Sequence, residues 1–182
     1  MTRKRVAILL AVFLGASVLS FAPQASASHY WYCSGSTPWK YANYTVYFYN
    51  GAPGDWYYVY QEETFTDSNS WNPYTDLAIT QVGAAGSSDH ANAYAGYYGA
   101  TGWLGLAQIN RTSGCTILQG TAYLNRSYLD GYSRTARKHV ACQEVGHLWG
   151  LNHVYTATCM NDSVTSYPYP NAHDRDAINA IY

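Results

Sequence analysis

The stretch QEVGHLWGLNH, Gln143 to His153, decides how the rest of the chain is read. On an α-helix, Gln143 and His147 stand one turn apart, about 6 Å along the axis and about 40° around it. Side chains at that spacing point to one side and can share an ion, which is why metal-binding pairs recur at i and i+4. Glu144 lies on the adjacent flank. It is badly placed for the same ion but able to reach a water held there and take its proton. Gly150 sits where a left-handed residue ends a helix, and the reversal lets His153 approach the ion from another direction. Ala141, Val145 and Leu148 fall on a separate stripe suited to packing on a sheet. The stretch predicts a helix with a ligand face and a core face.

Working outward, Ser133 can cap this helix, which is expected to run from Ser133 to Trp149. A second helix is expected over HDRDAINAIY at the C-terminus, with Ala177, Ile178 and Ile181 at helical spacing. Upstream, TVYFY (Thr45 to Tyr49) reads as a strand closed by the turn NGAPGD, and TDLAITQV (Thr75 to Val82) as another. WYYVYQEETFTDSNSW carries a weak helical pattern and fits a strand equally well. His90 to Ile109 reads as one or two strands broken by a glycine-rich turn, and Cys115 to Asn125 as a hairpin pivoting near Gly120. Strands with an early helix, then a long helix, an irregular loop and a terminal helix make an α+β layout.

The first residues belong to no fold. A basic MTRKR, an apolar run and the A-x-A pattern at Ala25 to Ala27 predict a signal peptide over 1–27, leaving 28–182 as one secreted domain. The chain has ten Lys and Arg, of which Arg3, Lys4 and Arg5 leave with the signal, against eleven Asp and Glu. No basic stripe remains, which excludes a nucleic-acid footprint, and no membrane association is expected after cleavage. The twenty tyrosines and few charges suit strands and exposed grooves, including polymer-binding surfaces. Four cysteines in a secreted chain argue for two disulfides, with three connectivities open.

The combination E-x-G-H-x-x-G-x-x-H at a helix end resembles the metzincins, and among them the matrixin-like zinc peptidases, whose pattern is H-E-x-x-H-x-x-G-x-x-H followed by a methionine turn. Glu144, His147, Gly150 and His153 match, Cys159 and Met160 stand where the methionine turn belongs, and Gln143 replaces the first histidine. The chain is also similar to small secreted actinobacterial matrixin-like proteins carrying Q-E-V-G-H. GWLGLAQI resembles the strand leading toward the active-site helix, and PNAHDRDAINAIY the closing helix. The resemblance implies a metzincin-like zincin fold: a twisted mixed sheet, an active-site helix, a methionine turn and a C-terminal helix. It implies that Cys142 pairs with Cys159, pinning the turn to the helix, and hence Cys33 with Cys115. It implies Met160 as the hydrophobic base of the site, and Tyr167 and Tyr169 as a wall of the substrate pocket. His90 resembles a structural zinc ligand of that family, though the rest of its ligand set is not evident and a surface histidine is the simpler reading.

Gln143 leaves three readings open. Its amide oxygen binds zinc, as a harder and poorer ligand than imidazole; another residue replaces it; or the site holds no ion and the fold serves binding. His139 cannot be that other residue, since it sits about 12 Å from His147 along the helix, and a partly exposed helix histidine is expected. His173 is expected to cap the last helix with Asp174, and His29 to be disordered at the new N-terminus. The expected function is that of a monomeric, secreted zinc metalloendopeptidase acting on protein or peptide. Gln143, His147 and His153 would hold Zn2+, and Glu144 would activate water. The alternative is a catalytically inactive secreted protein that binds peptide or polysaccharide.

Overall fold

The computed structural model describes residues 29–182, so the expected signal peptide lies outside the described residues. In chain order the elements are β1 (Tyr32–Ser34), β2 (Thr37–Pro38), β3 (Lys40–Tyr41), β4 (Thr45–Asn50), α1 (Asp55–Gln61), β5 (Ala78–Val82), β6 (His90–Gly96), β7 (Gly105–Ser113), β8 (Thr116–Asn125), α2 (Arg126–Leu129), α3 (Arg134–Leu148) and α4 (Ala172–Asn179). The α+β layout holds. The main sheet runs β5-β4-β6-β8, with β3 beside the start of β8 and β7 on the outer edge. All its pairings are parallel except β7 with β8, so the sheet is mixed, and its one antiparallel strand is an edge.

Local sequence explains most of these elements. β4 alternates, placing Val46 and Phe48 fully in the core while Tyr47 stays exposed. The ambiguous stretch after it is helical: α1 buries Trp56, Val59 and Tyr60 and runs on through a π-helical turn, Glu62–Thr66. His90 to Ile109 resolves into β6 and β7 across a loop containing Gly99 and Gly102.

The expected hairpin at Gly120 is wrong. β8 is one unbroken strand, and the chain turns instead at Gly114, between β7 and β8. Gly120 is there for close packing: a Cβ on it would lie 2.7 Å from Leu148 Cδ2. That lets α3 press on the sheet, where burying Leu148 contributes about 1.5–3 kcal/mol.

α3 starts as expected, with Ser133 Oγ accepting from Ala136 N at 3.2 Å. It ends before Gly150 at φ 98°, a backbone that disfavours other residues, with no room for a Cβ beside the Trp39 carbonyl. The expectation of one core face was too modest. Lys138 to Gly146 are all buried, because the sheet, α1 with its π-helical turn, and the segment after Gly150 all pack against the helix.

His139 is accordingly no partly exposed histidine. It is 1% exposed, with Nδ1 2.9 Å from the Tyr167 carbonyl and Nε2 3.3 Å from that of Asn161. α4 is capped by Asn171 rather than His173: Asn171 Oδ1 accepts from Asp174 N, and Asp174 Oδ2 from Asn171 N. His29 is ordered and buried.

Cys33 bonds Cys115 and Cys142 bonds Cys159, as expected, consistent with an oxidising compartment. Among the described residues, no helix is long and apolar enough to cross a membrane.

Candidate functional site

Helix α3 carries Gln143, Glu144 and His147 to one side, and the reversal at Gly150 brings His153 back beside them. All four line a cavity of about 460 Å³, with Gly105 to Ala107 of β7, Val140, Trp31, Asp162 and Val164 among its walls.

The two imidazoles fix each other's chemistry. His147 Nδ1 lies 2.8 Å from the Leu151 carbonyl oxygen, and His153 Nδ1 3.4 Å from Asp162 Oδ1. The Leu151 carbonyl only accepts, so a neutral His147 holds its proton on Nδ1 and turns its Nε2 lone pair inward, while the Asp162 carboxylate lies on the Nδ1 side of His153. The two Nε2 atoms stand 2.9 Å apart. At that distance either one ring proton or a cation bound by both nitrogens joins them. Nitrogens sharing one tetrahedral zinc sit about 3.3 Å apart, close to what is found. Burial also pulls His147 down to about 4, keeping the ring neutral and its lone pair available at ordinary pH.

Gln143 donates from Nε2 to the Asn161 carbonyl at 2.5 Å. That bond orients the amide and leaves its oxygen as the half not held by Asn161. Two imidazole nitrogens with one amide oxygen make a neutral donor set that fits zinc, with a carbonyl or carboxylate behind each ring as metal-binding histidines require.

Glu144 is buried against β7, and a Cβ on Gly105 would fall 2.4 Å from its Oε1, so the carboxyl fits only because that strand carries glycine there. Burial pushes its pKa up to about 8, against the backbone hydrogen bond from Ala107 that lowers it. A carboxyl poised near neutrality inside a cavity suits proton transfer.

Beneath the site, Gly146 leaves room for Met160 and Trp71: a Cβ there would meet Met160 Sδ at 2.4 Å and the Trp71 ring at 2.7 Å. Trp71 Nε1 donates to the Cys142 carbonyl at 3.2 Å, and the Cys142–Cys159 bond ties the turn of Met160 to α3. Val154 N donates to the Met160 carbonyl at 2.9 Å, joining that turn to the segment bearing His153.

Tyr167 and Tyr169 do not reach the cavity. Tyr167 is 52% exposed, and Tyr169 bonds Lys138 Nζ and Asp67 through its hydroxyl. Val140 and Val164 form the wall instead. Sequence reasoning also missed Trp31, which lies edge-on to the His147 ring at 6.1 Å, and Asp162 behind His153. Trp31 is more than a hundred residues from the motif, and no local pattern marks it. Asp162 was findable as the one carboxylate between Met160 and Pro168. His90 opens β6 at an intermediate depth, 2.5 Å through Nδ1 from the Ser88 carbonyl.

Compared with models of known families and with curated protein sequences, the chain matches none.

Proposed function

We infer that this chain is a secreted zinc-dependent endopeptidase of the metzincin type. The observation that carries the reading is the pair of facing Nε2 atoms 2.9 Å apart, with Glu144 lining the same cavity. The mixed sheet, the helix bearing the motif, the turn of Met160 beneath it and the C-terminal helix are the parts the resemblance to matrixin-like peptidases calls for.

In this reading His147, His153 and the Gln143 amide oxygen hold the metal. Zinc bound there supplies a Lewis acid that acidifies water and polarises a peptide carbonyl, and its charge draws down the raised pKa of Glu144. Glu144 takes a proton from the attacking water as the carbon–oxygen bond forms. It then passes that proton to the amide nitrogen as the carbon–nitrogen bond breaks. Among the described residues β7 pairs only with β8, which leaves its outer edge open beside the cavity. An extended peptide can add there as a strand, its backbone bonded to the edge and its scissile carbonyl near Glu144.

The competing reading is an inert groove that binds peptide or polysaccharide. In its favour is Gln143, whose amide already has a protein partner in Asn161. One experiment separates the two. The chain from Ser28, stripped with chelator and reloaded with zinc, is given an unfolded, fluorophore-quenched protein. Cleavage that disappears with chelator and with Glu144→Ala supports the enzyme. No cleavage by the zinc-loaded parent leaves the binding protein, and cleavage surviving Glu144→Ala overturns the mechanism.

A further inference from the structure

The N-terminal segment meets α4 at a cluster of histidine and aspartate side chains, outside the cavity and unused by the proposed reaction. His29, His173 and Asp174 have donor atoms within 4.8 Å of one another. His29 is 9% exposed and Asp174 fully buried. His29 Nε2 lies 3.1 Å from Asp174 Oδ1, yet among the described residues neither atom makes a hydrogen bond, and His29 Nδ1 makes none either. Buried polar atoms are seldom left so, and these converge. The imidazoles of His29 and His173 stack with centroids 4.7 Å apart. Meanwhile Asp174 Oδ2 accepts from the Thr158 hydroxyl and from Asn171 N, fixing the carboxylate with Oδ1 turned to His29.

We propose that His29, His173 and Asp174 form a structural zinc site that clasps the N-terminal segment to the C-terminal helix. Two imidazoles and a carboxylate are a borderline-soft set that suits zinc and leaves a fourth position for water; calcium and magnesium need more oxygens. Donors around tetrahedral zinc sit about 3.3 Å apart, which His29 Nε2 and Asp174 Oδ1 already match. His173, partly exposed in the first turn of α4, has a donor atom within 4.8 Å of the other two.

The clasp reaches further than its ligands. The His29 carbonyl accepts from Asn152 N at 2.7 Å, and Trp31 N donates to the Gly150 carbonyl at 2.8 Å. The segment held by the clasp therefore braces residues 150–152, the link between His147 and His153. This proposal is independent of the peptidase reading.

Zinc uptake by the chelator-stripped chain from Ser28 is measured against a chromophoric chelator, with thermal unfolding recorded alongside. Asp174 is avoided because it also caps α4; His173→Ala is the variant to use. The double variant His147→Ala/His153→Ala, which lacks the cavity's imidazoles, is expected to bind one zinc and melt higher with it. Adding His173→Ala removes both effects. Should that background not fold, the parent and the His173→Ala single variant are compared, and the variant takes up one zinc fewer. Equal uptake with and without His173 overturns the proposal, whether or not the cavity binds zinc.

Discussion

The Nε2 atoms of His147 and His153 face one another at 2.9 Å, with the Leu151 carbonyl on the Nδ1 side of the first ring and the Asp162 carboxylate on that of the second. Six residues apart in sequence, they are brought together by the reversal at Gly150, and the Cys142–Cys159 bond anchors the turn beneath. This pair is the core of the proposed cavity site, and Gln143 supplies its third donor.

Gln143→His tests that donor. An imidazole in place of the amide is expected to tighten zinc binding in the cavity at least tenfold, the low end of what lesser changes around a metal ligand cost. Competition against a chelator of known affinity, read in the His173→Ala background, measures it. An unchanged affinity means that Gln143 is no ligand.

Gly146→Ala is expected to destabilise the protein by about 1–3 kcal/mol, because the new methyl overlaps Met160 Sδ and the Trp71 ring, both in the core. Urea unfolding of the metal-free protein measures it. A neutral outcome means that the turn of Met160 can slide away from α3.

Removing the Cys142–Cys159 bond by paired alanine substitution opens a loop with a sequence separation of 17. The chain-entropy relation puts the loss at about 3 kcal/mol. Zinc held by His147 and His153 is expected to weaken in parallel, since the bond ties the Met160 turn to the helix. Full retention of both stability and affinity would falsify the view that the disulfide holds the site.

His139 predicts an acid limit on stability. Burial pulls its pKa below the ordinary 6.5, against the hydrogen bonds at Tyr167 and Asn161 that raise it. The folded ring stays neutral where the unfolded one takes up a proton. This contribution is complete above pH 6.5 and declines as the pH drops from there toward the lower folded value. Urea midpoints between pH 7.5 and 5 should fall less steeply for His139→Gln than for the parent. Parallel slopes would show that the buried imidazole is not the titrating group.

The legible parts of this protein are the ones written at short range. Ser133 as cap and Gly150 as stop bound α3 from the sequence, and the 3.6-residue period put Gln143, Glu144 and His147 on one side of it. β4 declared itself by alternation. Gly120 misled because glycine marks both a turn and a close approach, and only a partner such as Leu148 distinguishes them. Tyr167 and Tyr169 misled in a similar way. Their place after Met160 was readable, but their direction depends on where Lys138 and Asp67 draw the hydroxyl of Tyr169.

By itself the sequence determined the helix, its spacing of donors, the paired cysteines as a set and the α+β order, because caps, periods and turn residues act over a few neighbours. Tertiary structure decided what surrounds them. It buried His139 under the returning segment, set Asp162 behind His153, brought Trp31 to the cavity and laid His29 against Asp174. Such contacts join residues up to 145 positions apart, and they depend on the packing of the whole core, which no local pattern encodes.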